Sequence, residues 1–217
     1  DWAGVFPAIT TPFHENGTMN EEFLGDHATW MLENGCAGIV ALGSLGEGAT
    51  LTFEEKVRQL QVLREAIGPN TPLIAGDSGL STDECVALAK AAQKAGCNGL
   101  MVLPPYVYLG DAREIEAHFS AVISATPLSC LLYNNPIAYG TDLSARDVEE
   151  FADRHNNVHA IKDSSGDVRR LTAYRELLGD RLSLFAGLDD MVLETTLMGG
   201  DGWIAGLVNA LPEESVR

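Results

Sequence analysis

Eight short apolar segments recur along the chain, and longer amphipathic stretches separate them. The apolar segments are continuous rather than alternating, which is typical of parallel strands covered on both faces. The stretches between them have helical spacing, as 53–68 shows with Val57, Leu60, Leu63 and Ile67. Strands are predicted at 5–10, 38–43, 73–78, 99–104, 130–135, 158–163, 183–188 and 202–207, and helices at 20–35, 53–68, 81–96, 111–125, 144–155, 167–179 and 191–200.

This alternation predicts a parallel α/β architecture, and eight units favour a closed (β/α)8 TIM barrel over an open doubly wound sheet. We find no proline- or serine-rich linker, so residues 1–217 are predicted to form a single catalytic domain. A barrel of this kind typically needs about 250 residues. Because "LPEESVR" stands where an eighth helix is expected to start, we expect an incomplete C-terminus, truncated before that helix.

The composition excludes several classes of partner. The 217 residues include 14 Lys and Arg against 31 Asp and Glu, a net charge of −17 that repels nucleic acid and anionic membranes. No apolar run approaches the 18 or so residues of a membrane span. Cysteines without a CxxC spacing are expected to be buried free thiols in a reducing cytosol, which predicts a cytoplasmic protein. They are Cys36, Cys85, Cys97 and Cys130.

Candidate functional residues follow the predicted strands, because chemistry in a barrel lies at the carboxyl ends of its strands. The segment "GSLGEG" (43–48) follows the second strand, and its small residues expose backbone N–H groups suited to a carboxylate or phosphate. An ordinary tight turn is the alternative. The five histidines show no ligand spacing, so neither a metal nor another cofactor is expected.

Lys162 ends the apolar run of the sixth strand, an unusual place for a charge. Burial favours the neutral form of an amine, and a neutral amine attacks carbonyl carbons to form a Schiff base. The alternative is a lysine whose ammonium pairs with Asp163 or Asp189. Tyr133, at the end of the fifth strand, could face Lys162 and move protons. A core tyrosine is equally compatible with this pattern.

Three motifs in combination are more specific than any one alone. "GSLGE", "YNNP" and "IKDSS" resemble the dihydrodipicolinate synthase / N-acetylneuraminate lyase family, and the similarity runs from "GVFPAITTPF" to "GWIAGLVNALPEE". The resemblance implies a class I Schiff-base lyase built on a TIM barrel. It also implies a homotetramer and a small C-terminal helical domain, before which we expect this sequence to be truncated.

The resemblance also assigns roles to individual residues. Lys162 becomes the imine-forming lysine and Tyr133 the proton-transferring phenol, with Ser44 as its neighbour. The Ser44 hydroxyl and the Leu45 N–H would hold the carboxylate of a 2-oxo acid. The further substrate-binding residues are Gly187, Ile204 and Ser164.

Three positions depart from the synthases of this family. Leu45 replaces a hydroxyl residue, Ala138 replaces the arginine that binds the aldehyde substrate, and Val107 replaces a second tyrosine. We therefore predict a deaminase or dehydratase, such as 1-pyrroline-4-hydroxy-2-carboxylate deaminase. The alternatives are dihydrodipicolinate synthase, a keto-deoxy-sugar-acid or N-acetylneuraminate lyase, and a non-catalytic protein that binds 2-oxo acids.

Overall fold

All eight predicted strands form in the structure, a computed structural model that describes residues 2–217. Six of them are shorter than predicted by one to three residues because turn residues at their ends leave the sheet, whereas β5 and β6 keep their predicted length. The strands are β1 (Gly4–Pro7), β2 (Ile39–Ala41), β3 (Leu73–Asp77), β4 (Gly99–Val102), β5 (Ser129–Asn134), β6 (Val158–Asp163), β7 (Ser183–Ala186) and β8 (Gly202–Ala205).

The strands form one parallel sheet in the order β1-β8-β7-β6-β5-β4-β3-β2. A parallel bridge between Ala8 and Val40 joins β1 to β2, and the Ile9 N–H donates to the Val40 carbonyl at 3.0 Å. The sheet therefore curls into a barrel, as predicted, and the open doubly wound alternative is wrong.

Every predicted helix is also present, although its ends differ by a few residues. Capping boxes at Thr52, Asp111 and Ser144 satisfy free N–H groups at three helix starts. The helices are α1 (Glu21–Glu33), α2 (Phe53–Ile67), α3 (Thr82–Lys94), α4 (Ala112–Ser124), α5 (Pro136–Tyr139), α6 (Ala145–Arg154), α7 (Arg169–Leu178), α8 (Val192–Leu197) and α9 (Pro212–Val216).

Helix α5 was not predicted, and α9 forms in the segment 211–217, where the sequence predicts the start of the eighth helix. Both begin with a proline in the first turn, where a missing N–H costs nothing, and both span less than two turns. Segments this short carry too little apolar periodicity to stand out in the sequence. A 3-10 turn at Asp189–Met191 leads into α8.

The core has two layers. One fills the space between the strands and the surrounding helices, and the other fills the barrel interior with side chains such as Phe6, Ile74, Met101 and Leu131. Side chains alternate between the layers along each strand. This alternation turns Tyr133, near the end of β5, and its neighbour Lys162 on β6 towards the barrel interior.

The four cysteines are buried and unpaired, as predicted. Within residues 2–217, no helix combines the length and the apolar character that crossing a bilayer requires.

Candidate active site

Lys162 lies at the carboxyl end of β6, directly opposite Tyr133 on β5. Its side chain is almost completely buried, and its Nζ lies 4.2 Å from the centre of the Tyr133 ring. The carboxylates considered as partners are engaged elsewhere. Asp163 accepts from the Tyr174 hydroxyl at 2.8 Å, and Asp189 accepts from the Trp203 indole at 3.1 Å. The buried amine therefore faces an aromatic ring instead of a carboxylate.

The Tyr133 hydroxyl is held from two sides. The Asn135 side chain donates to it at 2.9 Å, and the Ser164 hydroxyl lies at 3.5 Å, the outer limit of a hydrogen bond. Burial acts to raise the pKa of Tyr133. The positive charge of Lys162 and these hydrogen bonds outweigh that effect and leave the pKa below its usual value. A phenol of this kind gives up its proton more readily than an ordinary tyrosine.

Ser44 lies in the turn after β2, and that turn is strained. Leu42 and Glu47 adopt φ values of +60° and +55°, a region that residues other than glycine seldom occupy. Thr11, in the segment that follows β1, anchors this turn by donating to the Gly46 carbonyl at 2.5 Å. Gln59 in turn donates to Thr11 at 2.7 Å. Strain held in place by buried partners is typical of functional sites.

The hydrogen bond of Ser44 differs from our expectation. Its partner is the Tyr139 hydroxyl rather than that of Tyr133. Tyr139 belongs to α5, and its ring meets the Tyr133 ring edge-on at 5.8 Å between centroids. The site thus contains a second phenol that the sequence analysis missed.

A cavity of about 460 Å³ opens above Lys162. The structure brings Ser44, Leu45, Gly187 and Ile204 to its wall together with Lys162 and Tyr133, as the resemblance implies. The lining residues are Ala8, Gly43, Ser44, Leu45, Met101, Tyr133, Asn135, Ala138, Lys162, Gly187, Leu188, Asp189, Asp190, Ile204 and Gly206.

Ser164 stands apart from this set. It is fully buried behind Gly187, where a Cβ atom on residue 187 would come within 1.9 Å of the Ser164 hydroxyl oxygen. Its position suits contact with Tyr133 rather than with a ligand. Gly187 is required because only a residue without a side chain leaves room for Ser164.

Asn135 and Tyr139 are the site residues that the sequence analysis did not assign. Asn135 caps α5 by accepting from the Ala138 N–H at 3.0 Å while it donates to Tyr133. Pro136 after the cap and Gly140, with φ +72°, after Tyr139 are start and stop signals for a one-turn helix. These signals could have placed Tyr139 at the barrel mouth.

The model of the dihydrodipicolinate synthetase family matches residues 1–217. The chain belongs to that family. Members of this family are aldolase-type lyases of the class I Schiff-base kind, and the protein is a lyase.

Relatives in sequence and structure agree with the membership. The chain is 35% identical over 212 residues to a 4-hydroxy-tetrahydrodipicolinate synthase of Clostridium perfringens, covering 98% of this chain and 72% of the relative. The synthase of Methylacidiphilum fumariolicum SolV superposes with a TM-score of 0.96 at 30% identity, covering 100% of this chain and 72% of that one. An Acinetobacter baumannii synthase solved with pyruvate superposes with a TM-score of 0.94 at 31% identity, covering 99% and 73%.

Proposed function

We propose that Lys162 forms an imine with pyruvate or a closely related 2-oxo acid. The observation that carries this proposal is the position of its amine, buried over the Tyr133 ring at the base of the cavity. Without a carboxylate partner and facing an open cavity, this amine is placed to attack the carbonyl carbon of a bound ligand. The pyruvate in the Acinetobacter baumannii relative supports this choice of substrate.

The surrounding groups fit the steps of imine formation. The neutral Lys162 amine attacks the ketone carbon, and the resulting carbinolamine loses its hydroxyl group as water to leave the imine. Tyr133 is placed to give the departing hydroxyl its proton and to take one back. Ser44, in the turn after β2, is placed to hold the carboxylate of the acid by hydrogen bonding.

The second half of the reaction is proposed to be the condensation that the relatives' name implies. The relatives from Clostridium perfringens and Methylacidiphilum fumariolicum are 4-hydroxy-tetrahydrodipicolinate synthases, which favours condensation of pyruvate with aspartate semialdehyde. None of them supports the deaminase interpretation made from the sequence.

One observation keeps the deaminase as a second candidate. Ala138 lies on the cavity wall, and among residues 2–217 the residues lining the cavity include no arginine. A synthase must hold the carboxylate of its aldehyde substrate, and arginine does so through paired hydrogen bonds. A cyclic imino acid that reacts alone has no such requirement.

The imine is tested by borohydride trapping with pyruvate and mass detection. The wild-type protein should gain mass on the peptide that contains Lys162, and Lys162→Ala should lose the labelling completely. Lys90→Ala, a change at an exposed lysine of α3, is the matched control and should label normally. Persistent labelling in Lys162→Ala would overturn the assignment.

The second substrate is tested by parallel turnover assays. Wild type and Ala138→Arg are supplied with pyruvate plus aspartate semialdehyde, and separately with 1-pyrroline-4-hydroxy-2-carboxylate. Wild-type synthase turnover equal to or above deaminase turnover would support the synthase. The reverse ratio, with synthase turnover increased by Ala138→Arg, would support the deaminase.

Assembly and location remain predictions. Exposed apolar side chains near the barrel mouth, Val107, Leu109 and Ile137, support the expected homotetramer. Sedimentation analysis would test the assembly, and cell fractionation would test the cytoplasmic location.

A further inference from the structure

Tyr139 reaches Ser44, a residue of the cavity wall, through the local fold of the one-turn helix α5. Helix α5 starts at Pro136 under the Asn135 cap and ends where Gly140 takes φ +72°, so the chain turns back over the barrel mouth. The Tyr139 side chain is buried, with 8% of its surface exposed. Its ring packs against the Tyr133 and Tyr106 rings at 5.8 and 5.7 Å between centroids.

The direction of the hydrogen bond between Tyr139 and Ser44 follows from what surrounds each hydroxyl. The aromatic neighbours of Tyr139 offer no strong acceptor, and Ser44 is its hydrogen-bond partner among the described residues. A buried hydroxyl hydrogen needs an acceptor, so Tyr139 donates to the Ser44 oxygen. Burial also raises the pKa of Tyr139 to about 12, which keeps this proton in place at neutral pH.

Because Tyr139 donates this hydrogen bond, the Ser44 hydroxyl hydrogen has no acceptor among residues 2–217. A serine hydroxyl has one hydrogen and two acceptor positions, and Tyr139 occupies one of the acceptor positions. Ser44 is exposed and lines the cavity above Lys162. Its hydrogen is therefore free to point into the cavity, towards an anionic group of a ligand.

We propose that Tyr139 is a positioning residue that fixes Ser44 as a hydrogen-bond donor to the carboxylate of the 2-oxo acid bound at Lys162. The inference rests on the proposed imine chemistry and adds a residue to it. It also bears on Val107, which stands where the resemblance implies a second tyrosine and is 76% exposed. In place of that tyrosine, Tyr139 brings a phenol to the site from the helix that follows β5 in the same chain.

The test measures the pyruvate concentration that gives half-maximal borohydride trapping on Lys162 in the full chain. Tyr139→Phe keeps the ring and removes the donor, so this concentration should rise about ten- to a hundredfold. The trapped fraction at saturating pyruvate should stay at the wild-type level. Tyr108→Phe is the matched control because Tyr108 is exposed and its hydroxyl bonds only to Glu114 among the described residues, so it should match wild type.

A double-mutant cycle separates positioning from mere packing. If Tyr139 acts through Ser44, then Tyr139→Phe should change nothing further in a Ser44→Ala background. Additive effects, or a half-maximal concentration unchanged in Tyr139→Phe, would overturn the proposal.

A second variant keeps the phenol and changes only its acidity. Replacing Tyr139 by 3,5-difluorotyrosine lowers the hydroxyl pKa, so the loss of pyruvate affinity at alkaline pH should begin at lower pH than in wild type. An unshifted pH profile would contradict the inference. Wild-type protein that traps no pyruvate at all would remove the proposed function, and this inference with it.

Discussion

At the scale of single residues, the site depends on what lies around each polar group rather than on its identity. Lys162 and Lys56 are both buried, yet only Lys56 holds a carboxylate, that of Glu84 at 2.7 Å. Lys162 lies over an aromatic ring at the base of an open cavity. The same type of side chain therefore forms a structural ion pair at one position and faces an open cavity at the other, where we propose that it reacts.

Tyr133→Phe should lower turnover far more than pyruvate binding. The ring that packs on Lys162 remains, while the hydroxyl held by Asn135 is lost. A positioned acid or base typically contributes about 10²- to 10⁴-fold in rate. Steady-state kinetics should show a fall of this size in kcat with a similar KM. A Tyr133→Phe enzyme with wild-type kcat would mean that another group moves the proton.

Asp77 makes stability depend on pH. It is fully buried at the end of β3, where among residues 2–217 the weakly donating thiol of Cys85 offsets only part of the effect of burial. Burial raises its pKa from 3.8 to about 8, so the folded state retains a proton that the unfolded state releases. The contribution of Asp77 to the free energy of unfolding is therefore greatest below about pH 4. It falls as pH rises towards 8, by at most ~1.4 kcal/mol per pH unit.

Asp77→Asn should remove this loss because the amide carries no charge at any pH. Urea unfolding at pH 5 and pH 9 should show a smaller difference between the two pH values in the variant than in wild type. Asp26→Asn, at an exposed position in α1, is the control and should behave as wild type does. An equal pH dependence in Asp77→Asn and wild type would show that other groups cause it.

At the scale of elements, the register between β5 and β6 assembles the site. It pairs Tyr133 with Lys162 and Asn134 with Asp163, with the first pair facing the barrel interior. A shift of one residue would turn both functional side chains to the opposite face. Buried Asn134 supports this register by bridging to Asp163 at 3.1 Å and to the Leu143 N–H at 2.9 Å.

The close contact between β6 and β7 makes Gly187→Ala a severe change. The new methyl group would overlap the Ser164 oxygen at 1.9 Å and press on the Asp163 carbonyl at 2.8 Å. Overpacking of this kind costs about 1–3 kcal/mol. Urea denaturation should show that loss, together with reduced trapping at Lys162.

Gly43→Ala provides the comparison for that experiment. A Cβ at residue 43 would meet only Met101, at 3.7 Å, which is ordinary contact. Its stability should stay close to wild type. Equal stability losses in the two variants would mean that the Ser164 contact is not the cause.

At the scale of the whole molecule, the net charge of −17 opposes compaction. Some carboxylates are neutralised by ion pairs, such as that between Asp142 and Arg170 at 2.7 Å. The acidic side chains nevertheless outnumber the basic ones by 31 to 14. Repulsion among exposed charges is screened within about 10 Å at 0.1 M salt. The fold is therefore expected to be more stable at moderate than at very low ionic strength.

Thermal unfolding in 10 mM and 200 mM sodium chloride tests this expectation. If screening of the charge repulsion stabilises the folded state by about 1 kcal/mol, the Tm should rise by roughly 2–4 °C for a domain of this size. A Tm that falls as salt is added would show that attractive ion pairs outweigh the repulsion.

The sequence by itself determined the architecture and singled out Lys162 as the proposed reactive group. Eight apolar runs separated by helical stretches allow few arrangements, because every run must be covered on both faces. Lys162 at the end of such a run was recognisable because burying a charge there is costly without a purpose. The turn that holds Ser44 and the strand end that holds Tyr133 were each compatible with an ordinary structural role, and the family resemblance assigned both residues to the site.

Only the tertiary structure decided which hydroxyl meets which. The Ser44 oxygen could have faced Tyr133, as expected, and the choice of Tyr139 depends on how the one-turn helix α5 folds over the barrel mouth. Ser164 likewise lies behind Gly187 instead of on the cavity wall. Both arrangements depend on close contacts between segments that lie far apart in the chain. The periodicity of a sequence indicates only which face of a helix or strand a residue occupies.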